Sequence, residues 1–406
     1  MITPATHSQT STNSFNRVLL NAVQRNSAAE VVSALENGAD PNTADKNGVT
    51  CLMWAALKGY AECASRLLTA GADVEIVDGD KWSSLMYAAD KGRTACVKLL
   101  LAAGANEHKS DYDKECGLMR AARNGHAACV SLLLAAGADA NAADINGVNS
   151  LMFAAAKGQA DCLKLLLSAG ADPNTVDFNG KNSLVWAVEY GHAKCVKLLL
   201  QHGADPNTGI GRAAAQGRVS IIKLLLGAGA NPNKGLAHTA RKATVTLLLE
   251  HGADPSKGLS SAVAFSHKAN VRLLLNNGAD PNVGLAAAAA EGRLTDIYTL
   301  LEFGAEPSEG LAAAASAGRY DAVDMLLGLG ATANRGIAAA AYHGQKAIVT
   351  LLLWNGANPN EGMSAAVAAG HADIVRILLN RGAAPHLSFG EDSEPQTEQS
   401  EVYNGA

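Results

Sequence analysis

Five cysteines recur at intervals of 33 residues and raise the question of metal or disulfide chemistry. A disulfide requires Cα atoms about 4.4–6.8 Å apart, whereas equivalent positions in stacked helical repeats lie about one helix diameter apart, ~8–10 Å. Four later repeats place isoleucine or alanine at this position, namely Ile221, Ala322, Ile348 and Ile374. We therefore interpret the cysteines as small buried apolar residues. They are Cys63, Cys96, Cys129, Cys162 and Cys195.

Five aspartates share the same period and could be taken for calcium ligands. An EF-type loop needs more oxygen ligands within about a dozen residues and ends in a bidentate glutamate. One or two aspartates in each connection fall short of that set. We predict instead that each accepts backbone hydrogen bonds and fixes a turn. These structural aspartates are Asp45, Asp78, Asp111, Asp144 and Asp177.

The remaining polar motifs do not favour catalysis. His126, His192 and His371 each directly follow the glycine in the middle of a repeat. No second metal-ligating residue stands beside them at a ligand spacing. The sequence contains no GxxxxGK[ST], HExxH or GxSxG motif. We predict no catalytic residue, no cofactor and no metal site, and therefore a protein that is not an enzyme.

Large side chains occupy a third periodic position, two residues after the leucine that opens each first helix. Tryptophan, tyrosine and arginine dominate interface hot spots, and the later repeats have mostly alanine here. Two interpretations remain open: packing that supports the neighbouring connection, or contact with a partner. The series is Trp54, Tyr87, Arg120, Phe153 and Trp186.

The connections themselves vary where the repeated aspartates do not. Repeats hold structural positions fixed and leave contact positions free, so this variation indicates a contact surface. Tyr112 and Phe178 follow the aspartate and have no core to fill. Trp82 stands at the start of the following strand. The candidate protein-binding residues are the large-residue series together with Trp82, Tyr112 and Phe178.

The period defines thirteen repeats over residues 15–386. Gly-Ala triplets begin every 33 residues from Gly38 to Gly203, then almost every 26 residues to Gly382. Each repeat contains two short helices with an apolar stripe, and glycines suited to left-handed C-caps end them.

The 33-residue unit resembles the ankyrin repeat. The resemblance rests on 191-GHAKCVKLLLQHGADPN and on an xDxxGxxxL lead-in, although the family's Thr-Pro-Leu-His opening appears here as 50-TCLM and 83-SSLM. It implies an all-α fold, an α-solenoid of stacked helix–turn–helix repeats. It also implies a β-hairpin finger between repeats and a concave face lined by the first helices.

The shorter repeats have lost this connection. Nine residues separate Asn174 from Leu184, but two separate Asn282 from Leu285, and the difference of seven equals 33 minus 26. We predict five fingers, all before Asn207, and tight loops in the later repeats. Asn-Gly pairs such as Asn47-Gly48 favour hairpin turns with positive φ at both central residues. A further deletion in repeat 8 predicts a local irregularity there.

Composition narrows the class of protein. A net charge of −5 gives no global basic field for nucleic acid, no run approaches ~18 apolar residues, and seven cysteines fit a reducing compartment. We expect disordered tails at 1–14 and 387–406, the latter acidic. Full repeats 1–6 cover 15–207, and shortened repeats 7–13 cover 208–386.

These observations predict a non-catalytic scaffold or adaptor that binds a partner protein. The binding surface would be the concave groove and fingers of repeats 2–6. We expect a cytoplasmic or nuclear monomer that binds no nucleic acid and does not insert into a membrane. The alternative is an architectural spacer, or a regulatory subunit that positions or inhibits another protein.

Overall fold

The computed structural model describes the backbone of residues 4–384 and the side chains of residues 14–384. Within this range the chain forms 26 helices and five isolated β-bridges, which confirms the all-α fold of stacked helix pairs. Each repeat contributes two helices, so the odd-numbered helix is the first of its repeat. The chain divides into two compact units, Met1–Thr239 and Ala240–Ala406.

The first unit contains repeats 1–7 and the first helix of repeat 8. Successive first helices pack on one another, as do successive second helices. The helices are α1 Pro4–Gln24, α2 Ala28–Glu36, α3 Cys51–Lys58, α4 Ala61–Thr69, α5 Ser84–Asp90, α6 Thr94–Ala102, α7 Gly117–Asn124, α8 Ala127–Ala136, α9 Ser150–Lys157, α10 Ala160–Ser168, α11 Ser183–Tyr190, α12 Ala193–Gln201, α13 Asn207–Gln216, α14 Val219–Gly227 and α15 Pro232–Leu236.

The second unit starts with the second helix of repeat 8 and continues to repeat 13. The same packing of first on first and second on second helices recurs within it. Its helices are α16 Lys242–Glu250, α17 Pro255–Ala264, α18 Lys268–Asn276, α19 Pro281–Glu291, α20 Leu294–Glu302, α21 Pro307–Ser316, α22 Tyr320–Gly328, α23 Asn334–Tyr342, α24 Lys346–Trp354, α25 Asn360–Ala368 and α26 Ala372–Asn380.

The N-terminal segment differs from the expected disorder over residues 1–14. Helix α1 begins at Pro4, because proline fits the first turn of a helix and neither glycine nor proline interrupts residues 5–14. The predicted acidic tail at 387–406 lies outside the described residues. Within those residues, no helix combines the length and the apolar character needed to cross a membrane.

The periodic cysteines lie in the core, as predicted. All seven cysteines are free and buried, and the five at the 33-residue period are at most 1% exposed. Burial raises the pKa of the Cys195 thiol to about 11. Because the thiolate is the reactive form, these residues act as small apolar packing groups.

The five predicted fingers are present, each closed by one β-bridge. In the first finger the Gly48 N–H donates to the Asp45 carbonyl at 3.0 Å, and Gly48 has φ +81. The expected turn with two positive φ values was wrong, since Asn47 does not adopt a positive φ. A turn closed by one left-handed residue forms instead. The bridges join Ala44–Thr50, Val77–Ser83, Ser110–Cys116, Ala143–Asn149 and Val176–Asn182.

Two fingers have lysine at the left-handed position. Lys81 and Lys114 adopt φ +62 and +59, where glycine stands in the other three fingers. A side chain with a Cβ is disfavoured in this region. These two turns therefore carry local backbone strain.

The fingerless repeats contain an extra helical turn where tight loops were expected. Helix α19 begins directly at Pro281, and the Asp280 side chain caps it by accepting from the Asn282 N–H at 3.0 Å. An aspartate N-cap followed by proline is a strong start signal for a helix. Helix α19 has 11 residues, whereas α11 of a finger-bearing repeat has 8.

The repeat-8 irregularity lies at the boundary between the two units. Helix α15 has only five residues, and the units separate after Thr239. The boundary between the two compact units therefore lies within repeat 8, whereas Asn207 marks only the end of the finger-bearing repeats.

Candidate protein-binding site

Each finger turn is built around the repeated aspartate. In the first finger, Asp45 Oδ1 accepts from the backbone N–H groups of Asn47 at 2.8 Å and Val49 at 3.1 Å. Asp177 makes the same pair of bonds to Asn179 and Lys181, both at 2.9 Å. The other three repeated aspartates, Asp78, Asp111 and Asp144, each accept an equivalent pair of backbone bonds.

The second carboxylate oxygen of the same aspartates binds the large-residue series. Trp54 Nε1 donates to Asp45 Oδ2 at 3.2 Å, and Tyr87 Oη donates to Asp78 Oδ2 at 2.5 Å. Burial and this hydrogen bond raise the pKa of Tyr87 well above its usual range. One carboxylate thus joins each finger to the first helix that follows it.

The same connection recurs in two further repeats. Arg120 forms an ion pair with Asp111, and Trp186 Nε1 donates to Asp177 Oδ2 at 3.1 Å. Phe153 has no donor atom. Four of the five large side chains therefore support their fingers, with a spacing of nine residues between aspartate and donor.

Ring and guanidinium contacts extend this arrangement across repeats 3–5. The Trp82 and Tyr87 rings lie 4.9 Å apart, and the Arg120 guanidinium lies 3.6 Å from the centre of the Trp82 ring. Glu115 binds both Arg120, at 3.0 Å, and Arg123. Trp82 is therefore half-buried between Tyr87 and Arg120, and it is less available to a partner than predicted.

A cavity of about 280 Å³ opens between repeats 5 and 6. Phe153, Trp186 and Tyr190 line it, with the Arg123 guanidinium 3.9 Å from the centre of the Phe153 ring. The Trp186 and Tyr190 rings are stacked 5.9 Å apart. Tyr190 is 54% exposed and was absent from the predicted site, although its position four residues after Trp186 places both on one helix face.

Apolar side chains stand exposed at the tips of consecutive fingers. Tyr112 is 64% and Phe178 is 80% exposed, and Ile145 is exposed between them. Backbone bonds join the tips, since the Ile145 N–H donates to the Asp113 carbonyl and the Phe178 N–H to the Asn146 carbonyl, both at 3.0 Å. We call Tyr112, Ile145 and Phe178 the tip row.

The predicted site residues thus form two sets. The tip row is exposed, and the large-residue series is half-buried or buried, with one face turned toward the cavity at Phe153 and Trp186. Both sets lie on repeats 2–6. Within the described side chains, no group of three or more His, Cys, Asp or Glu residues is placed to hold a metal ion.

Comparison with known proteins identifies the repeat. The family profile described as ankyrin repeats (3 copies) matches residues 19–111 and 118–209. The profile match and the finger-and-helix-pair geometry show that residues 19–209 contain ankyrin repeats. The matched residues end close to Asn207, where the first fingerless repeat begins.

Two solved structures are similar to part of the chain. The human ASB11 ankyrin repeat domain is 29% identical, with a TM-score of 0.46, over 50% of this chain and 97% of that domain. The ankyrin repeat protein EF0377 is 28% identical, with a TM-score of 0.43, over 45% of this chain and 96% of that protein. A comparison with curated proteins gave no match. Ankyrin repeats are in general protein–protein interaction modules and are typically non-catalytic.

Proposed function

We propose that this protein is a non-catalytic scaffold or adaptor that binds a partner protein through repeats 2–6. The contact surface comprises the tip row and the cavity lined by Phe153, Trp186 and Tyr190. The proposal rests on the observation that exposed apolar finger tips and an aromatic cavity lie on the same repeats. Exposed apolar patches of this kind favour protein contact.

The arrangement supports binding because its aromatic groups are held in place before a partner arrives. The finger aspartate fixes Trp186 at 3.1 Å, and backbone bonds between tips limit their movement. Groups that are already ordered lose little conformational freedom on binding. An apolar side chain of the partner would enter the cavity, while its backbone would lie along the tips.

A matched pair of variants tests this proposal in the full chain. The first carries Tyr112→Ala, Phe178→Ala and Tyr190→Ala. The control removes the same number of exposed aromatic side chains in the second unit, by changing Tyr298, Tyr320 and Tyr342 to alanine. Quantitative affinity capture from lysate, after circular dichroism has verified folding, compares both with the unmodified chain.

The proposal predicts that at least one captured protein is lost with the first variant and retained with the control. Capture that is unaffected by the first variant would instead favour the architectural spacer. Loss with the control alone would move the binding surface to the second unit.

We also infer that the protein acts in a reducing compartment, the cytoplasm or nucleus. All seven cysteines are free thiols, and cysteines without disulfides are typical of a reducing compartment. Thiol labelling under denaturing conditions, directly after cell lysis, should give seven reactive cysteines. Fewer labelled thiols would contradict this inference.

A further inference from the structure

A second, larger hollow lies where the fingers stop. Its volume is about 540 Å³, and all the residues that line it belong to the first unit. Repeat 7 has no finger, so α13 begins directly at Asn207, and its first turns line the space beside the last finger. We call this space the junction hollow. It is lined chiefly by Gly180, Val185, Thr208, Arg212, Lys234 and His238.

The junction hollow is cationic. Arg212 and Lys234 are exposed, and no residue that lines the hollow carries a carboxylate. Within the described side chains, neither cation forms an ion pair. Lys181 of the adjacent finger, by contrast, already binds Glu189 at 2.8 Å. The hollow is therefore a local positive site on a chain of net charge −5.

A glycine inside α13 keeps the walls of the hollow close together. A Cβ at Gly211 would lie 2.9 Å from His238 Cδ2 and 3.5 Å from the Lys234 carbonyl oxygen. Glycine destabilises a helix interior relative to alanine. Its place here allows α15 and His238 to approach α13, so Gly211→Ala is expected to displace the imidazole.

The hollow continues the proposed binding surface through a shared helix. Val185 of α11 lines the junction hollow, while Trp186 and Tyr190 of the same helix line the aromatic cavity. We propose that the junction hollow binds an acidic side chain of the partner protein, and that an apolar side chain of the same extended segment occupies the cavity. This inference rests on the proposed function.

The geometry sets the spacing between the two side chains. The cavity lies between repeats 5 and 6 and Arg212 lies on repeat 7, so the two sites are about one and a half repeats apart, or roughly 12–15 Å at ~8–10 Å per repeat. An extended chain advances ~3.3 Å per residue, so the acidic residue lies about four positions from the apolar residue. The guanidinium of Arg212 can bind a carboxylate in bidentate fashion, and Lys234 adds a second positive charge.

Fluorescence anisotropy with the full chain tests the charge preference directly. The probes are a fluorescein-labelled octaglutamate peptide and an octaglutamine peptide of equal length. We expect octaglutamate to bind at low ionic strength and octaglutamine not to bind. The variant R212E/K234E should weaken octaglutamate binding by at least about tenfold, since both attractive charges become repulsive. Gly211→Ala should weaken it less.

The matched control is K194E/K197E, which changes net charge equally on the exposed side of α12. It should alter octaglutamate affinity by less than about twofold, because exposed charges beyond a Debye length are screened. Equal weakening by the control would overturn the proposal, as would octaglutamine binding. Displacement of octaglutamate by inorganic phosphate at equal or lower concentration would also overturn it, in favour of a phosphate site.

Two outcomes separate this inference from the proposed function. The tip-and-cavity variant is the one that carries Tyr112→Ala, Phe178→Ala and Tyr190→Ala. If R212E/K234E abolishes octaglutamate binding while the tip-and-cavity variant still captures every protein, the proposed function fails and the anion site stands. If the tip-and-cavity variant loses a partner that R212E/K234E retains with unchanged affinity, only the junction hollow fails.

Discussion

Finger-bearing and fingerless repeats stack in the same way but have different side chains on their first helices. In four of the five finger-bearing repeats a large side chain nine residues after the finger aspartate donates to it, as Trp186 does for Asp177. Where the finger is missing, alanine or serine stands at that position in repeats 9–13. The finger and the large residue of the following first helix thus form one structural element in four repeats, and repeats 9–13 lack both.

The fingerless helices use the released space for closer packing. A Cβ at Gly284 would lie 3.0 Å from Leu259 Cγ of the preceding repeat, so glycine permits the approach of the two first helices. The longer, alanine-rich α19 offers few large groups to a partner. The large aromatic side chains at this helix position therefore belong to the finger-bearing repeats.

Both regions nevertheless keep the same stacking register. Asn174 Oδ1 accepts from the Asp205 N–H, 31 residues later, at 3.0 Å. Asn282 Oδ1 accepts from the Glu306 N–H, 24 residues later, at 2.8 Å. The difference, 31 minus 24, is the seven residues of the missing finger. Removal of a finger thus leaves the contact between repeats intact.

The largest expected effect comes from the buried arginine of repeat 4. Arg120→Met leaves the carboxylates of Asp111 and Glu115, which are 7% and 13% exposed, without their shared cation. Loss of one partner from a buried ion pair costs about 3–5 kcal/mol. Urea unfolding followed by tryptophan fluorescence measures this cost. Arg212→Met, at an exposed site of a fingerless repeat, is the control and should cost within about 0.5 kcal/mol. Equal losses would contradict the buried network.

A smaller effect compares two fingers. Asp177→Ala removes two turn bonds and the bond to Trp186, whereas Asp144→Ala removes two turn bonds only, since Phe153 donates nothing. The first should be more destabilising by about 1 kcal/mol, the typical net value of one hydrogen bond. Trp186→Phe should remove this difference in a double-mutant cycle. A difference that persists would disprove the link between finger and helix.

The sequence predicts most of this comparison. The period, the Asn-Gly pairs and the repeated aspartates predict the number and the positions of the fingers, because a finger turn depends on local backbone geometry. The bond from Trp54 to Asp45 was not predicted, since helix and finger must both be positioned before the nine-residue spacing becomes a contact. The junction hollow was also beyond the sequence, because it requires α15 to approach Gly211.

Low pH should weaken one contact between finger-bearing repeats, that of Glu75, because its side chain titrates whereas the equivalent Asn282 of α19 does not. Glu75 occupies the position of Asn174 and Asn282. Burial opposes its ionisation, but bonds from the Asn106 N–H and Lys109 outweigh this and lower the pKa of Glu75 below 4.5. The stabilisation is therefore present above pH 4.5 and lost as pH falls through the lower folded value. The effect should be small, because Glu75 is 42% exposed.

Glu75→Gln provides the control for this prediction. The amide keeps an acceptor for Asn106 but does not titrate, so the unfolding midpoint of the variant should fall less steeply between neutral pH and pH 3.5. Hydrogen exchange of the Asn106 amide reports the same contact locally. Identical pH profiles for the two proteins would contradict the assignment.

Site-specific photo-crosslinking tests most directly whether partners bind the finger-bearing repeats. Benzoylphenylalanine replaces Phe178 in one full-length protein and Trp354 in another, two aromatic side chains that are 80% and 74% exposed. Irradiation in lysate should trap a specific protein at position 178 and none at position 354. The same protein trapped equally at both positions, or only at position 354, would contradict the account.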